Sequence, residues 1–127
     1  MRNVRFIVES KRLLKTGGKL VIRTPNTDAF GRNYFGLYWY ANDVPRHIFL
    51  FNKKNLQMLF KRHGLKPLKQ KTFASPKIFL NSWDLLKKNQ GTASKKKTLH
   101  RLIARIFALY AGLTHQGDEI FAIYEKK

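Results

Sequence analysis

The sequence contains no cysteine, and only seven of its 127 residues are acidic. The lack of cysteine excludes disulfide bonds and thiolate-ligated zinc sites. No apolar run approaches the ~20 residues that a membrane-spanning helix needs. The amino terminus shows no signal peptide, because only the apolar residues 6–8 separate the first arginines from Glu9. These absences predict a cytoplasmic protein, with contact to a membrane only at its periphery.

Positive charge dominates the sequence. Lysine and arginine number 26, which gives a formal net charge of +19. Such a charge favours acidic partners, namely nucleic acid, an anionic membrane surface or phosphorylated substrates, without choosing among them. The hydrophobic content of 43% is sufficient for a core. The length suits one domain or a part of one.

A pair of glycines, Gly17 and Gly18, lies between a predicted helix over 3–15 and a predicted strand over 19–25. A glycine loop that binds phosphate has the opposite order, strand first and helix second, because the free N–H groups of the helix must face the anion. The glycines therefore end a helix. The continuous apolar run at 20–22 predicts a strand that is covered on both faces.

Three further elements follow from the pattern. Residues 52–64 predict a helix with Asn52 as its N-cap. Residues 65–73 predict a strand at a sheet edge, because Pro67 cannot donate to a ladder of hydrogen bonds. The apolar run before the carboxyl terminus predicts a central strand over 119–125. We expect this last strand to lie antiparallel between strand 19–25 and strand 65–73.

The long connection over 26–51 is rich in aromatic residues. Disordered segments are poor in aromatics, so we expect this connection to be ordered and packed.

A helical segment over 74–117 separates the last two predicted strands. Its second helix, over 98–113, is amphipathic, and Arg101 and Arg105 lie off its apolar stripe. The stripe consists of Leu99, Leu102, Ile103, Ile106, Tyr110 and Leu113. The basic segment 87–113 would therefore suit an anionic membrane surface. The alternative is a helix docked on the sheet beside a solvated basic loop.

Three segments of the sequence resemble class I S-adenosylmethionine-dependent methyltransferases. "ESKRLLKTGGKLVIRTPN" (9–26) resembles the region around their fifth strand. "YWYANDVPRHIFLFNKKNLQMLFKRHGL" (38–65) resembles the following region in the bacterial small-molecule branch, and "GDEIFAIYEKK" (117–127) resembles the last strand. Thr16, Asn52 and Leu65 depart from the usual proline, serine and phenylalanine.

The resemblance implies an α/β fold, a partial Rossmann-like sheet of strands five, seven and six with flanking helices. It implies a single partial methyltransferase domain over 1–127, in which 74–117 is a helical insertion. S-adenosylmethionine is the cofactor of the intact family. Its glycine-rich loop and ribose-binding acid belong to the first half of the sheet. We therefore expect the C-terminal, acceptor-binding portion of a small-molecule methyltransferase from a truncated or split gene, inactive alone and without tight cofactor binding.

The resemblance also nominates site residues near the methyl acceptor. His47 would act as a general base, since histidine titrates near neutrality. Asn26 would lie at the carboxyl end of strand 19–25, where open α/β sheets bind ligands. The alternatives are a structural hydrogen bond for His47 and a turn position for Asn26.

Tyr38, Trp39 and Tyr40 would form an apolar wall for a sugar, quinone or lipid acceptor, or would simply pack the connection. Arg46 would pair with a phosphate or carboxylate of the acceptor, or would be solvated.

Two other functions compete with this prediction. One is a basic membrane- or nucleic-acid-binding module without catalysis, although the cations are spread over all elements and no nucleic-acid motif is present. The other is an inactive remnant. In the first case an anionic membrane surface would bind residues 87–113. In a split enzyme, a partner chain or a second copy would pair with strand 19–25, because a free apolar edge recruits other chains.

Overall fold

The computed structural model describes residues 2–42, 50–92 and 98–127. Among these residues it contains five α-helices, three β-strands and two short 3₁₀ turns. The helices are α1 (Arg2–Leu13), α2 (Phe30–Phe35), α3 (Lys53–Arg62), α4 (Pro76–Asn89) and α5 (Thr98–Leu113). The strands are β1 (Lys19–Pro25), β2 (Leu65–Phe73) and β3 (Glu119–Lys126), and the 3₁₀ turns span Gly36–Tyr38 and Tyr40–Asn42.

The three strands form one sheet in the order β1-β3-β2, and β3 runs antiparallel to both neighbours. This confirms the α/β class and the predicted strand order. Pro67 lies in β2 at the edge of the sheet, and the pairing with β3 is irregular between Pro67 and Lys69. A proline is tolerated there because it lacks the N–H that a central strand must donate.

One face of the sheet carries the larger core. β3 buries alternate residues, Ile120, Ala122 and Tyr124, as expected for a strand with one covered face. Helices α1 and α3 cover this face with the buried side chains of Ile7, Leu56 and Phe60. The Phe60 and Tyr124 rings stack with their centroids 4.3 Å apart.

The helix boundaries follow local chemistry. Asn52 caps α3 in a reciprocal capping box: its side chain accepts from the Asn55 N–H, and the Asn55 side chain accepts from the Asn52 N–H, both at 2.8 Å. Gly64 follows α3 with φ of 76°, a conformation that glycine adopts without strain. The capping box confirms Asn52 as the predicted N-cap of α3.

β1 is not covered on both faces, so that prediction was wrong. Its exposure alternates along the strand, and the Val21 side chain is 55% exposed. Among the described strands β1 pairs only with β3, so its other edge is open. An apolar groove of about 350 Å³ runs along this strand, with Phe6 and Val21 in its lining. Phe6 itself is exposed, whereas Ile7 carries the packing of α1.

A second core cluster lies outside the sheet. It joins α2, the 3₁₀ turns, α4 and α5 through Phe35, Trp39, Phe79 and Ala104. The described part of the aromatic connection, 26–42, is ordered and packed as predicted. The sequence pattern did not predict α2. None of the described helices has the length and apolarity needed to cross a membrane.

Candidate functional site

Asn26 directly follows β1 and is fully buried. Its Nδ2 donates to the Gly117 carbonyl at 2.8 Å, and its Oδ1 accepts from the Asp28 N–H at 3.1 Å. Its own N–H donates to the Asp118 carbonyl at 2.8 Å. In this structure the amide joins the end of β1 to the segment that enters β3. It therefore shapes the carboxyl end of the sheet, and a contact with an acceptor remains a prediction.

Asp118 is a buried acid beside Asn26. Its Oδ1 accepts from the Trp39 Nε1 at 3.2 Å, and its Oδ2 accepts from the Ser75 N–H at 3.0 Å. Burial raises the pKa of the Asp118 carboxyl, and these two hydrogen bonds oppose the shift because they favour the charged form. The carboxylate therefore ties the aromatic connection and the start of α4 to the sheet. Asp118 was not predicted as a site residue, because in the sequence it is one acid among turn residues before a strand.

The three nominated aromatic residues lie in different environments. Trp39 is buried, Tyr38 is half-buried and packs on the second core cluster, and the Tyr40 side chain is exposed. The Tyr40 N–H donates to Ser82 Oγ at 2.9 Å, and the Ser82 hydroxyl donates to the Ile78 carbonyl at 2.7 Å. Trp39 thus serves packing here, while Tyr40 is the member of the set with a solvent-facing ring. A role in acceptor binding remains a prediction for all three.

Asp28 and Asn52 meet at the same end of β1. Neither was predicted as a site residue. Asn52 Nδ2 approaches Asp28 Oδ1 at 3.5 Å, and the Asp28 side chain is exposed. A parallel bridge between Asn26 and Phe51 brings the two segments together. The signal in the sequence was an acid two residues after a strand-ending asparagine. Asp28 is therefore a polar group that faces solvent where open α/β sheets bind ligands.

A cleft of about 600 Å³ opens beside α2 and the first 3₁₀ turn. Its lining residues are Arg32, Asn33, Gly36, Leu37, Asn42 and Leu50. Arg32 is half-buried and donates from Nη1 to the Thr27 carbonyl at 3.3 Å. The cleft therefore combines one positioned guanidinium with amide and apolar side chains, a composition suited to a small polar molecule.

Arg46 and His47 lie outside the described residues, so their predicted roles remain predictions. Among the residues that the structure describes, no group of three His, Asp or Glu side chains could hold a metal ion.

A family model described as a methyltransferase domain matches residues 5–70, just over half of the chain. The matched region includes most of α1, all of β1, α2 and α3, and the first part of β2. The chain therefore belongs to the methyltransferase domain family. No curated protein matches the chain.

Proposed function

We propose that this chain is the C-terminal, acceptor-binding portion of an S-adenosylmethionine-dependent methyltransferase that acts on a small molecule. The observation that carries the proposal is the sheet order β1-β3-β2 with an antiparallel central strand, in a chain that belongs to the methyltransferase domain family. This order matches strands five, seven and six of the class I fold that the sequence resembles.

The proposed acceptor site lies at the carboxyl end of β1. Asp28 offers an exposed carboxylate there, and Arg32 offers a positioned cation in the neighbouring cleft. A carboxylate accepts hydrogen bonds from hydroxyl groups, and a guanidinium binds carboxylate or phosphate through paired donors. We assign the general base to His47 and a second cation to Arg46, with Tyr40 against the acceptor.

The described connections between strands and helices lack the features that bind the cofactor. The methyl donor of this family needs a glycine loop between a strand and a helix, and an acid for the ribose hydroxyls. Among the described elements, β1 leads to α2 and β2 leads to α4, and neither connection contains glycine. Asp118, the buried acid, is held by Trp39 and Ser75. These residues do not fit the cofactor, and we propose that the chain alone neither binds it tightly nor transfers methyl groups.

The open edge of β1 suggests where a partner would bind. Val21 and Phe6 line an apolar groove along that edge, and an unpaired apolar strand recruits other chains. We propose that a partner chain or a second copy pairs with β1, within a cytoplasmic enzyme. Sedimentation velocity of the wild type should show assembly that Val21→Lys weakens, whereas Met58→Lys on α3 should not. A wild type that stays monomeric would exclude a second copy as the partner, and assembly unaffected by Val21→Lys would contradict pairing through β1.

The acceptor side can be tested without the cofactor. Nuclear magnetic resonance titration with 4-hydroxybenzoate, which carries both a hydroxyl and a carboxylate, should shift the amide signals of 27–30, 36–42 and 50–52. Arg32→Gln should reduce these shifts, and the matched control Arg23→Gln, at an exposed arginine of β1, should not. Shifts scattered over lysine-rich surfaces, or equal effects of the two variants, would overturn the proposed site.

A further inference from the structure

Helix α5 packs against the rest of the protein through one narrow side. Ala104 and Ala111 are buried, and Phe107 packs against Phe79 with ring centroids 4.4 Å apart. Phe30 of α2 contacts the same Phe107 ring at 4.7 Å. The small and aromatic residues on this side therefore dock the helix on α2 and α4. Tyr110 of the predicted apolar stripe also contacts Phe30, with ring centroids 5.0 Å apart.

Most of the stripe faces solvent on the adjacent side of α5. Together with Leu109, which extends it on one side, the stripe occupies about 120° of the helix circumference at 3.6 residues per turn. Leu109 is 65% exposed and Leu113 is 73% exposed. The other exposed members are Leu99, Leu102, Ile103, Ile106 and Tyr110. A contiguous apolar surface of this kind marks an interaction site, because isolated surface hydrophobics do not form continuous stripes.

The stripe continues into a groove between α5 and α2. This groove has a volume of about 440 Å³ and is lined by Phe30, Ile103, Ile106, Phe107 and Tyr110. All five side chains are aliphatic or aromatic. The surface therefore offers both a flat apolar stripe and an apolar recess beside it.

Cations border the stripe. Arg101 and Arg105 are exposed on the side of α5 next to Leu109, and α5 contains no acidic residue. Lys87 lies over the Trp83 ring at 5.5 Å, and the same ring contacts His100 in the first turn of α5. Positive charge thus lies along one edge of the stripe and at its amino-terminal end.

We propose that α5 docks on an anionic lipid bilayer, with the apolar stripe at the boundary of the acyl chains and Arg101 and Arg105 at the lipid phosphates. An interfacial helix has this combination of an apolar face and flanking cations. Charge complementarity favours lipid over a second copy. Two facing stripes would bring four arginines together, with no acidic residue on either α5 to pair with them, in chains of net charge +19 each. The proposal does not depend on the proposed function.

Co-sedimentation with vesicles tests this docking. The chain should bind vesicles that contain about 30% phosphatidylserine and should not bind pure phosphatidylcholine, and salt should weaken the binding. Ile106→Glu with Leu109→Glu should lower the partition coefficient more than about 100-fold, because two large apolar side chains lose their burial. Arg101→Gln with Arg105→Gln should lower it about 25-fold, or about fivefold per cation.

The matched control is Val8→Glu with Met58→Glu, which places the same charges at exposed apolar positions of α1 and α3. This variant should retain most of the binding. All substituted side chains are exposed, and circular dichroism will verify that each variant is folded. Equal binding to both vesicle types would overturn the proposal. Binding that survives the α5 substitutions, or loss to the same extent in the control, would also overturn it.

A fluorescent label gives a second readout that does not depend on sedimentation. Because the sequence has no cysteine, Leu109→Cys and Met58→Cys each accept one label at a defined place. An environment-sensitive dye at 109 should shift to shorter wavelength with anionic vesicles, and the dye at 58 should not. No shift at 109, combined with concentration-dependent self-association through α5, would identify a second copy as the occupant and reject the lipid.

Discussion

The indole Nε1 of Trp39 donates a 3.2 Å hydrogen bond to Oδ1 of Asp118, joining two residues that are 79 positions apart in the sequence. Gly31 lies directly beside this bond, and a Cβ placed there would be 3.0 Å from both atoms. The contact attaches the aromatic connection to the entrance of the central strand. The geometry at the carboxyl end of β1 therefore depends on one buried acid and one buried indole.

Trp39→Phe should destabilise the protein by about 1–3 kcal/mol, because it leaves Asp118 Oδ1 without its indole donor in a buried environment. Urea denaturation measures the change. A double-mutant cycle with Asp118→Asn should give a non-zero coupling free energy between the two side chains, because the stability effects of substituting residues in contact do not add. The matched control is Trp83→Phe, because the half-buried Trp83 is the other tryptophan of the chain. A loss in Trp39→Phe no larger than in the control would contradict this account.

The pH dependence of stability should report the Asp118 carboxyl. Its pKa in the folded state is raised by burial above the ordinary 3.8. The folded state therefore binds this proton more readily than the unfolded state. The stability contribution of protonation is fully present below pH 3.8 and is lost as the pH rises through the folded-state pKa. Relative to Asp118→Asn, the wild type should gain stability as the pH falls from neutrality.

Thermal unfolding of both proteins across this pH range makes the comparison. The other acids titrate in both proteins, so their contribution cancels in the difference in stability between the wild type and Asp118→Asn. A difference between the two proteins that is independent of pH, or that grows in the opposite direction, would show that Asp118 does not have a raised pKa.

Tyr124→Phe should stabilise the protein by about 1 kcal/mol. The Tyr124 hydroxyl is buried and has no hydrogen-bond partner among the residues that the structure describes. Burial raises the pKa of this side chain to about 12. Phenylalanine keeps the stack on Phe60 and removes the unpaired polar atom. Urea denaturation measures the change, with Tyr110→Phe at an exposed position as the control that should stay within about 0.5 kcal/mol. Destabilisation by Tyr124→Phe would mean that the hydroxyl has a partner.

Two glycines should respond to alanine in opposite directions. A Cβ at Gly117 would lie 2.5 Å from the Phe73 carbonyl carbon, so Gly117→Ala must displace backbone where β2 meets β3. We expect a loss of more than about 3 kcal/mol. Gly112 lies in α5 with open space around it, and Gly112→Ala should stabilise by about 0.5–1 kcal/mol. Thermal unfolding distinguishes the two, and a tolerated Gly117→Ala would contradict the close approach.

Local chemistry made much of the fold predictable. Pro67 placed β2 at an edge, and Asn52 marked the start of α3. The strand order followed from these features together with the apolar run of β3. The side of α5 that docks could not be predicted, because amphipathicity shows that a helix has an apolar face and not what covers it. Val21 was predicted to be buried because a continuous apolar run does not reveal whether both faces of its strand are covered.

The candidate site was less predictable than the fold. Asn26 was placed at the correct end of β1 by the order of strand and loop. Its bonds to Gly117 and Asp28 depend on how β3 returns to β1, which is a tertiary relationship. The Trp39–Asp118 contact is equally remote in sequence. Arg32 was not nominated because α2 was not predicted, and a helix of six residues has too short a pattern for periodicity to reveal.

The central claim is that these residues form the acceptor side of a methyltransferase and do not hold its cofactor alone. Isothermal titration calorimetry of the purified chain with S-adenosylmethionine tests this most directly. The account predicts no binding tighter than about 1 mM, because neither described strand-to-helix connection offers a glycine loop. Binding to a monomeric chain with a Kd of about 1 µM would contradict it.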